Sequence, residues 1–375
     1  MRKTGTYETL GSITFFIPKP LPPHNPPLKL DPETMELYGD AMHSLGKLKE
    51  MTQKIPNNKR FIKAYVNKEA LLSSAIENVN TTLLDLFTQP LLETAPDKNT
   101  QLVLNYTHAL YKTLELIKEK NLPIISRVIL NAHKELMEKG EGDETDPGHY
   151  RKQTVKVGNL VPSPPQKIQE LMSELEKFIN EDYSLPPLIK AGLAHVQFET
   201  IHPFLDGNGR IGRILIVLML VESKILSAPV IYPSYYFKKQ HFDYYRLLNN
   251  VETKGDFESW IKFYLGIIKE SSIDAYTRAQ EIDLLEKQIT KTLNDDKSLR
   301  ESNRETMLKA LPIMFNYPVI SITKLSSQLN VSYNTAGKII EQFVSLELLV
   351  EQTKQKRGKL FRFEPYFIIL EREYR

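Results

Sequence analysis

Eight consecutive apolar residues, Ile214 to Val221, constrain the fold of this chain more than any other stretch. A helix that is apolar on every side has no face to offer water, so it must run through the middle of other helices. The run is far short of the roughly 20 residues needed to span a bilayer, and a buried core helix is the expected outcome. Arg2 and Lys3 are not followed by an apolar segment of the kind that directs secretion, so the expected location is cytoplasmic, with no membrane partner. At 375 residues the chain has room for roughly two or three domains. Cysteine is absent, which excludes disulfides, thiolate nucleophiles and cysteine-ligated zinc. The 49 basic and 46 acidic residues leave a net charge of +3, too balanced to declare a nucleic acid as partner.

The flanking chain supplies the helices that such a core requires. Apolar residues recur at helical spacing over Asp31–Lys54, Leu102–Ile117, Ile124–Met137, Ile168–Ile179 and Leu188–Phe198. Asn67 is read as an N-cap, and Leu72, Ile76, Val79, Leu83 and Leu86 form one stripe, which predicts a helix over 67–87. Ser73 and Glu77 lie one turn apart on its flank. The prolines between Phe15 and Pro32 predict an extended arm draped over the surface, neither helix nor central strand. Gly140, Gly142, Asp143, Asp146, Pro147 and Gly148 mark a loop. The alternation in Thr154–Gly158, closed by Pro162, Pro164 and Pro165, predicts a strand in a small hairpin.

The chemistry gathers just before the apolar run. His202, Asp206, Gly207, Asn208, Gly209, Arg210 and Arg213 place a base, a hard carboxylate, bare backbone and two guanidiniums within twelve positions. Gly207 to Gly212 satisfies G-x-G-x-x-G, but a helical segment precedes it where the dinucleotide fingerprint needs a strand. Glu199 and His202 form the Glu-x-x-His pair of di-iron bundles, yet a second pair is missing. A single-metal set of His195, Glu199 and His202 stays open. Two arginines in the first turns of a helix oppose its dipole, so a purely structural role is disfavoured unless an anion sits there. What remains is an anion cradle with a base: glycines and a helix N-terminus admit phosphate, Arg210 and Arg213 fork onto its oxygens, Asp206 suits Mg²⁺, and His202 takes a proton near neutral pH.

His202-Pro203-Phe204-Leu205-Asp206-Gly207-Asn208-Gly209-Arg210-Ile211-Gly212-Arg213 resembles the signature H-x-F-x-[DE]-G-N-G-R-x-x-R of Fic-domain adenylyltransferases at every fixed position. The resemblance extends over roughly residues 60 to 270. It implies a mainly α fold, a Fic-type helical bundle with a small β-hairpin flap at about 150–160, and a catalytic core over 101–271 behind an N-terminal helical region of 1–100. It also implies transfer of AMP from ATP to a Ser, Thr or Tyr hydroxyl of a target protein or of the chain itself. His202 would be catalytic and Asp206 would hold Mg²⁺. Phe204, Gly207, Asn208, Gly209, Arg210, Arg213 and Tyr245 would bind nucleotide and phosphates, and glycine rather than lysine at 209 favours AMP. Val155, Lys156, Val157 and Gly158 would form the target-docking flap, by strand addition. Where the family often has an asparagine, seven residues after Tyr245, this chain has Glu252. Ser73, Glu77 and Asn78 resemble the inhibitory motif [ST]-x-x-x-E-[GN], whose glutamate pairs with the second arginine, here Arg213. Within the same fold, AMP removal with Glu77 aligning water is the alternative.

Beyond a connecting helix over 272–300, residues 301–375 resemble a winged helix-turn-helix. Helix Thr306–Phe315 and strand Pro318–Ser321 precede a helix-turn-helix with Ser332 as N-cap, and Leu348–Thr353 and Leu360–Phe363 flank a basic tip. Lys354, Lys356, Arg357, Lys359 and Arg362 could meet a DNA backbone, but the second helix offers few base readers, chiefly Tyr333, Asn334 and Lys338. Target docking or assembly is the preferred role. A nucleotide-sensing DNA-binding regulator and a homo-oligomer stay open.

Overall fold

The computed structural model describes residues 2–54, 59–139, 146–158, 160–181, 183–353 and 358–372. It is mainly helical. The core helices are α1 (Pro32–Lys54), α2 (Lys59–Ile76), α3 (Leu83–Thr88), α4 (Lys98–Lys118), α5 (Ser126–Met137), α6 (Pro165–Asn180), α7 (Pro187–Ile201), α8 (Asn208–Glu222), α9 (Ser234–Lys239), α10 (His241–Lys254) and α11 (Phe257–Asp295). Every residue from Ile214 to Val221 is buried, and α2, α4, α5 and α7 pack around α8. That is the arrangement an all-apolar helix dictates.

The helix expected over 67–87 is two helices. α2 begins at Lys59, so Asn67 lies buried inside it and caps nothing. α2 ends because Asn78 adopts a left-handed conformation (φ 62°), with Val79 N–H donating to Ser74 O at 3.0 Å and Asn78 N–H to Ala75 O at 3.3 Å. This pairing closes a helix end and favours Gly or Asn at the left-handed position. α3 restarts from a capping box, in which Asp85 N–H donates to Thr82 Oγ1 at 3.0 Å and Thr82 N–H to Asp85 Oδ2 at 3.2 Å. The apolar spacing ran across this break because Leu83 and Leu86 face the same core from a second helix.

The N-terminal arm also departs from expectation. Its first part is a hairpin, β1 (Gly5–Leu10) with β2 (Ile13–Pro18), joined at Gly11-Ser12 with Gly11 at φ 64°. β-branched and aromatic residues on both sides of a two-residue Gly-Ser turn were the signal for it. β2 continues toward the core, where Phe15 and Phe16 are buried and Phe16 N–H donates to Val161 O at 2.9 Å. The hairpin expected at 150–160 is reduced to one antiparallel bridge, Val157 with Leu160, so Thr154–Gly158 is not a strand here. An alternating segment without a neighbouring strand has no ladder to join.

α11 runs unbroken for 39 residues, and its first half is core: Trp260, Tyr264 and Ile268 are fully buried, and Trp260 Nε1 donates to Gly192 O at 2.7 Å. The connecting helix therefore starts at Phe257, fifteen residues before position 272. Its far end leads to α12 (Glu301–Asn316), β3 (Val319–Ser321), α13 (Ile322–Leu329), α14 (Tyr333–Ser345), β4 (Leu349–Glu351), β5 (Leu360–Phe363) and α15 (Glu364–Glu371), with sheet order β3-β5-β4. Ser332 caps α14 as expected, accepting from Thr335 N–H at 3.1 Å. α15 was not expected. It docks on α2, α3 and α11: Lys68 Nζ on α2 donates to Leu370 O at 2.8 Å, and the Phe87 ring on α3 meets Phe367 edge to face. Lys354, Lys356 and Arg357 lie outside the described residues, while Lys359 pairs with Glu351 (2.9 Å) and Arg362 with Glu364 (2.6 Å).

Candidate active site

α7 delivers His202, the expected base. The chain leaves this helix at His202, itself left-handed (φ 52°), and the loop 203–207 turns the backbone into the N-terminus of α8. Asn208 holds the loop in shape: its Oδ1 accepts from Phe204 N–H and its Nδ2 donates to Phe204 O, both at 2.9 Å. The Asn208 amide is thus spent on backbone and 2% exposed, so its side chain does not face a phosphate, contrary to expectation. Phe204 is likewise corrected: fully buried, its ring stacks on His133 at 3.7 Å and anchors the loop instead of facing a nucleotide. Asn208→Ala would leave a buried N–H and C=O unpaired, each costing about 1–3 kcal/mol. Urea unfolding should show a loss on the order of 2–4 kcal/mol at unchanged m-value.

Three glycines in the turn have separate reasons. Gly207 takes φ 77°, and a Cβ there would press on Met137 Sδ at 3.0 Å. A Cβ on Gly209 would collide with Glu77 Oε1, and one on Gly212 with Glu199 Oε1. The bare backbone at 209 leaves the space in front of the α8 N-terminus open to a carboxylate or a phosphate oxygen. The first N–H groups of α8, from Asn208 to Arg210, point out of that end without helical partners.

Around this opening the charges converge. Arg213 is 1% exposed; its Nε donates to Ser73 Oγ at 2.8 Å, and its Nη2 to Ser73 O at 3.0 Å and Glu77 Oε1 at 2.7 Å. Burial works against the Arg213 charge, but Glu77, Tyr244 and Glu199 together hold its pKa above the ordinary value. Asp206 stands at the mouth with its side chain 55% exposed, accepting from Gly207 N–H at 2.5 Å and lying 3.5 Å from Arg210 Nη2. Burial and the Arg151 guanidinium push the His202 imidazole down to about 4. Tyr245 is 41% exposed beside this opening, whereas Tyr244 is buried, its hydroxyl 2.9 Å from His195 Nε2. The flap residues Lys156, Val157 and Gly158 are exposed and Val155 half-buried. Glu252 is half-buried two turns beyond Tyr245, its pKa raised by burial to about 7.

Behind the opening lie Glu199, already noted beside His202, and three groups that the sequence did not single out, His133, Arg151 and Glu69. His133 Nδ1 accepts from Gly148 N–H at 3.0 Å, so its Nε2 carries the proton and donates to Asp206 O at 3.1 Å. Arg151 is 2% exposed and reaches His202 O. Burial raises the Glu69 and Glu199 carboxyls to about 7. Among the described residues no three His, Asp or Glu side chains are placed to hold a metal, which removes the His195/Glu199/His202 alternative.

Residues 123–220 match the family model described as Fic/DOC family, and residues 35–115 match its N-terminal companion, Fic/DOC family N-terminal. Over these two segments the chain is similar to the Fic/DOC family. A protein adenylyltransferase Fic of Drosophila willistoni is 34% identical over 159 residues, and that of Drosophila ananassae 32% identical over 168. These matches cover 42% and 44% of this chain but only 30% and 31% of the relatives, so the chain spans about a third of their length. The Fic fold also appears in solved structures. A Fic family protein from Desulfovibrio desulfuricans superposes over 93% of this chain and 99% of its own at TM-score 0.55 and 21% identity. Fic-1 from C. elegans superposes over 68% and 75% at TM-score 0.55 and 17% identity.

Proposed function

We propose that this chain is a Fic-family protein adenylyltransferase, moving AMP from ATP to a Ser, Thr or Tyr hydroxyl of a protein, and that Glu77 restrains it. The observation that carries this reading is the α8 N-terminus, where His202, Asp206, Arg210 and Arg213 surround one opening and a carboxylate already occupies the fork of Arg213. His202 removes the hydroxyl proton as the oxygen attacks the α-phosphorus. The bond to the β-phosphate breaks and pyrophosphate leaves. The α8 N–H groups and the two guanidiniums receive the charge that builds on the phosphate oxygens. Asp206, an exposed acceptor-only carboxylate, fits Mg²⁺, which prefers one or two carboxylates plus substrate phosphates. Such an ion would neutralise phosphate charge when bound with ATP.

Restraint follows from competition. A carboxylate and a γ-phosphate cannot share one guanidinium fork, so ATP cannot take its productive pose while Glu77 stays. In the C-terminal segment, which we read as a winged helix, the pairing of Lys359 and Arg362 with carboxylates leaves less charge for a DNA backbone. A docking or assembly role fits better. No helix among the described residues is long and apolar enough to cross a membrane, in keeping with the cytoplasmic location we propose.

The test is intact-mass spectrometry of Glu77→Gly protein with Mg²⁺ and ATP, alone and with lysate. A gain of one AMP on the protein or a target, absent in Glu77→Gly/His202→Ala, supports the reading; no adduct anywhere overturns it. Release of AMP from pre-modified protein would instead favour the hydrolytic alternative. The pH dependence has a definite sign. A base must be neutral to act, and with its pKa lowered to about 4 His202 stays neutral well into acid. The acid limb of kcat/KM for ATP, which reports the free enzyme, should lie near 4 and not near the ordinary value of about 6.5. Removing Glu77, which raises this pKa, moves the limb lower still.

A further inference from the structure

Arg151 makes as many side-chain hydrogen bonds near the opening as Arg213, and the mechanism above gives it no task. It is 2% exposed, and every acceptor it reaches is a backbone carbonyl. Its Nε donates to His202 O at 2.8 Å, its Nη1 to Gln153 O at 3.0 Å and its Nη2 to Ser163 O at 2.6 Å. Its own N–H donates to Pro203 O at 2.9 Å. These acceptors belong to three places: the entry of the flap, its exit, and the turn that presents the base. Ser163 extends the frame further, its Oγ donating to Phe16 O at 3.0 Å on β2, next to the bond from Phe16 N–H to Val161 O.

Burying a guanidinium without a carboxylate beside it is expensive, so a simple loop staple is poorly served by this residue. What a guanidinium offers that other donors do not is a rigid planar fork able to fix several carbonyls at set angles at once. We infer that Arg151 is a positioning residue for AMP transfer: one planar group locks the flap's entry, its exit and the backbone of His202 together, so that a hydroxyl carried by a segment docked on the flap arrives in register with the base. The inference rests on the adenylyltransferase reading. Its energetic weight comes from the steep cost of misalignment, since a displacement of about 1 Å at the reacting atoms can cost roughly 10²-fold in rate. The Arg151 charge also helps keep the His202 imidazole neutral, because the two groups disfavour a second positive charge between them. The other charges that act on His202, Glu77 and Asp206, act in the opposite sense.

The experiment places Arg151→Lys and Arg151→Met in the Glu77→Gly protein. Lysine keeps the charge and the aliphatic stem but cannot reach three carbonyls at once. Both variants are expected to lose roughly tenfold or more in kcat for transfer to protein, with KM for ATP within about threefold of the parent. Amide hydrogen exchange supplies a readout that needs no activity. In Arg151→Lys, protection should fall together in 150–163 and 202–207 while α8 keeps its own. A kcat within twofold of the parent overturns the inference, as does a loss that appears only in KM for ATP, or exchange that rises in the flap alone. Should the Met variant fail to fold, the Lys variant decides. If the Glu77→Gly parent transfers no AMP, the function itself has failed, and the exchange result still tells whether Arg151 couples flap and base.

Discussion

Replacing His202 by alanine in the Glu77→Gly protein should lower AMP transfer by about 10²–10⁴-fold, the range that a positioned general base contributes. The loss should fall on kcat and leave KM for ATP nearly unchanged, because none of the hydrogen bonds that shape the phosphate cradle runs through the imidazole. The Asn208 amide and Arg213 keep their partners when the ring is removed. His202 Nδ1 is buried on the side of the ring facing the Glu199 backbone, and no bond holding Asn208 or Arg213 runs to it. A rapid radiolabelled-AMP assay measures the ratio. A drop below tenfold would mean that another group takes the proton.

Glu77→Gly should raise transfer in the chain that keeps His202 by roughly 10- to 100-fold. The size follows from the contact removed, a charge-assisted hydrogen bond of 2.7 Å to a 1%-exposed guanidinium. Such bonds are worth about 1.5–3 kcal/mol, and each 1.4 kcal/mol is about a factor of ten. Arg213 does not collapse when Glu77 goes, since Ser73 still accepts from its Nε and Nη2. A gain confined to KM for ATP would fit simple competition; unchanged transfer by a folded variant would remove Glu77 from the switch.

How much of this was legible beforehand depended on where each group finds its partner. The central helix was plain because eight apolar residues in a row have one solution. The motif at 202–213 was plain because its residue types are fixed by phosphate chemistry. Glu77 was not: on a helix flank it looks like any solvated carboxylate, and its partner Arg213 lies 136 positions away. Only the family resemblance tied them. Arg151 and His133 were missed for a related reason, since their partners are backbone atoms of distant loops and backbone carries no residue identity. The roles of Phe204 and Asn208 were misplaced because a motif records which residues are required and not which way they face. The flap erred in the other direction, as alternation promises a strand only when a neighbour supplies the ladder.

The end of α2 has one more consequence. Glu77 is not held by the body of its helix. It sits just past the last residue of α2, kept in place by three backbone hydrogen bonds, the left-handed Asn78 and its pair with Arg213. Helix ends open and reclose locally at a small fraction of the free energy needed to unfold a domain. A lock built on such an end is therefore a leaky one. Unstimulated turnover would track how often a single helical turn breathes, would climb with temperature before the protein melts, and could be dialled by changing residue 78 alone, without touching any group that meets the nucleotide.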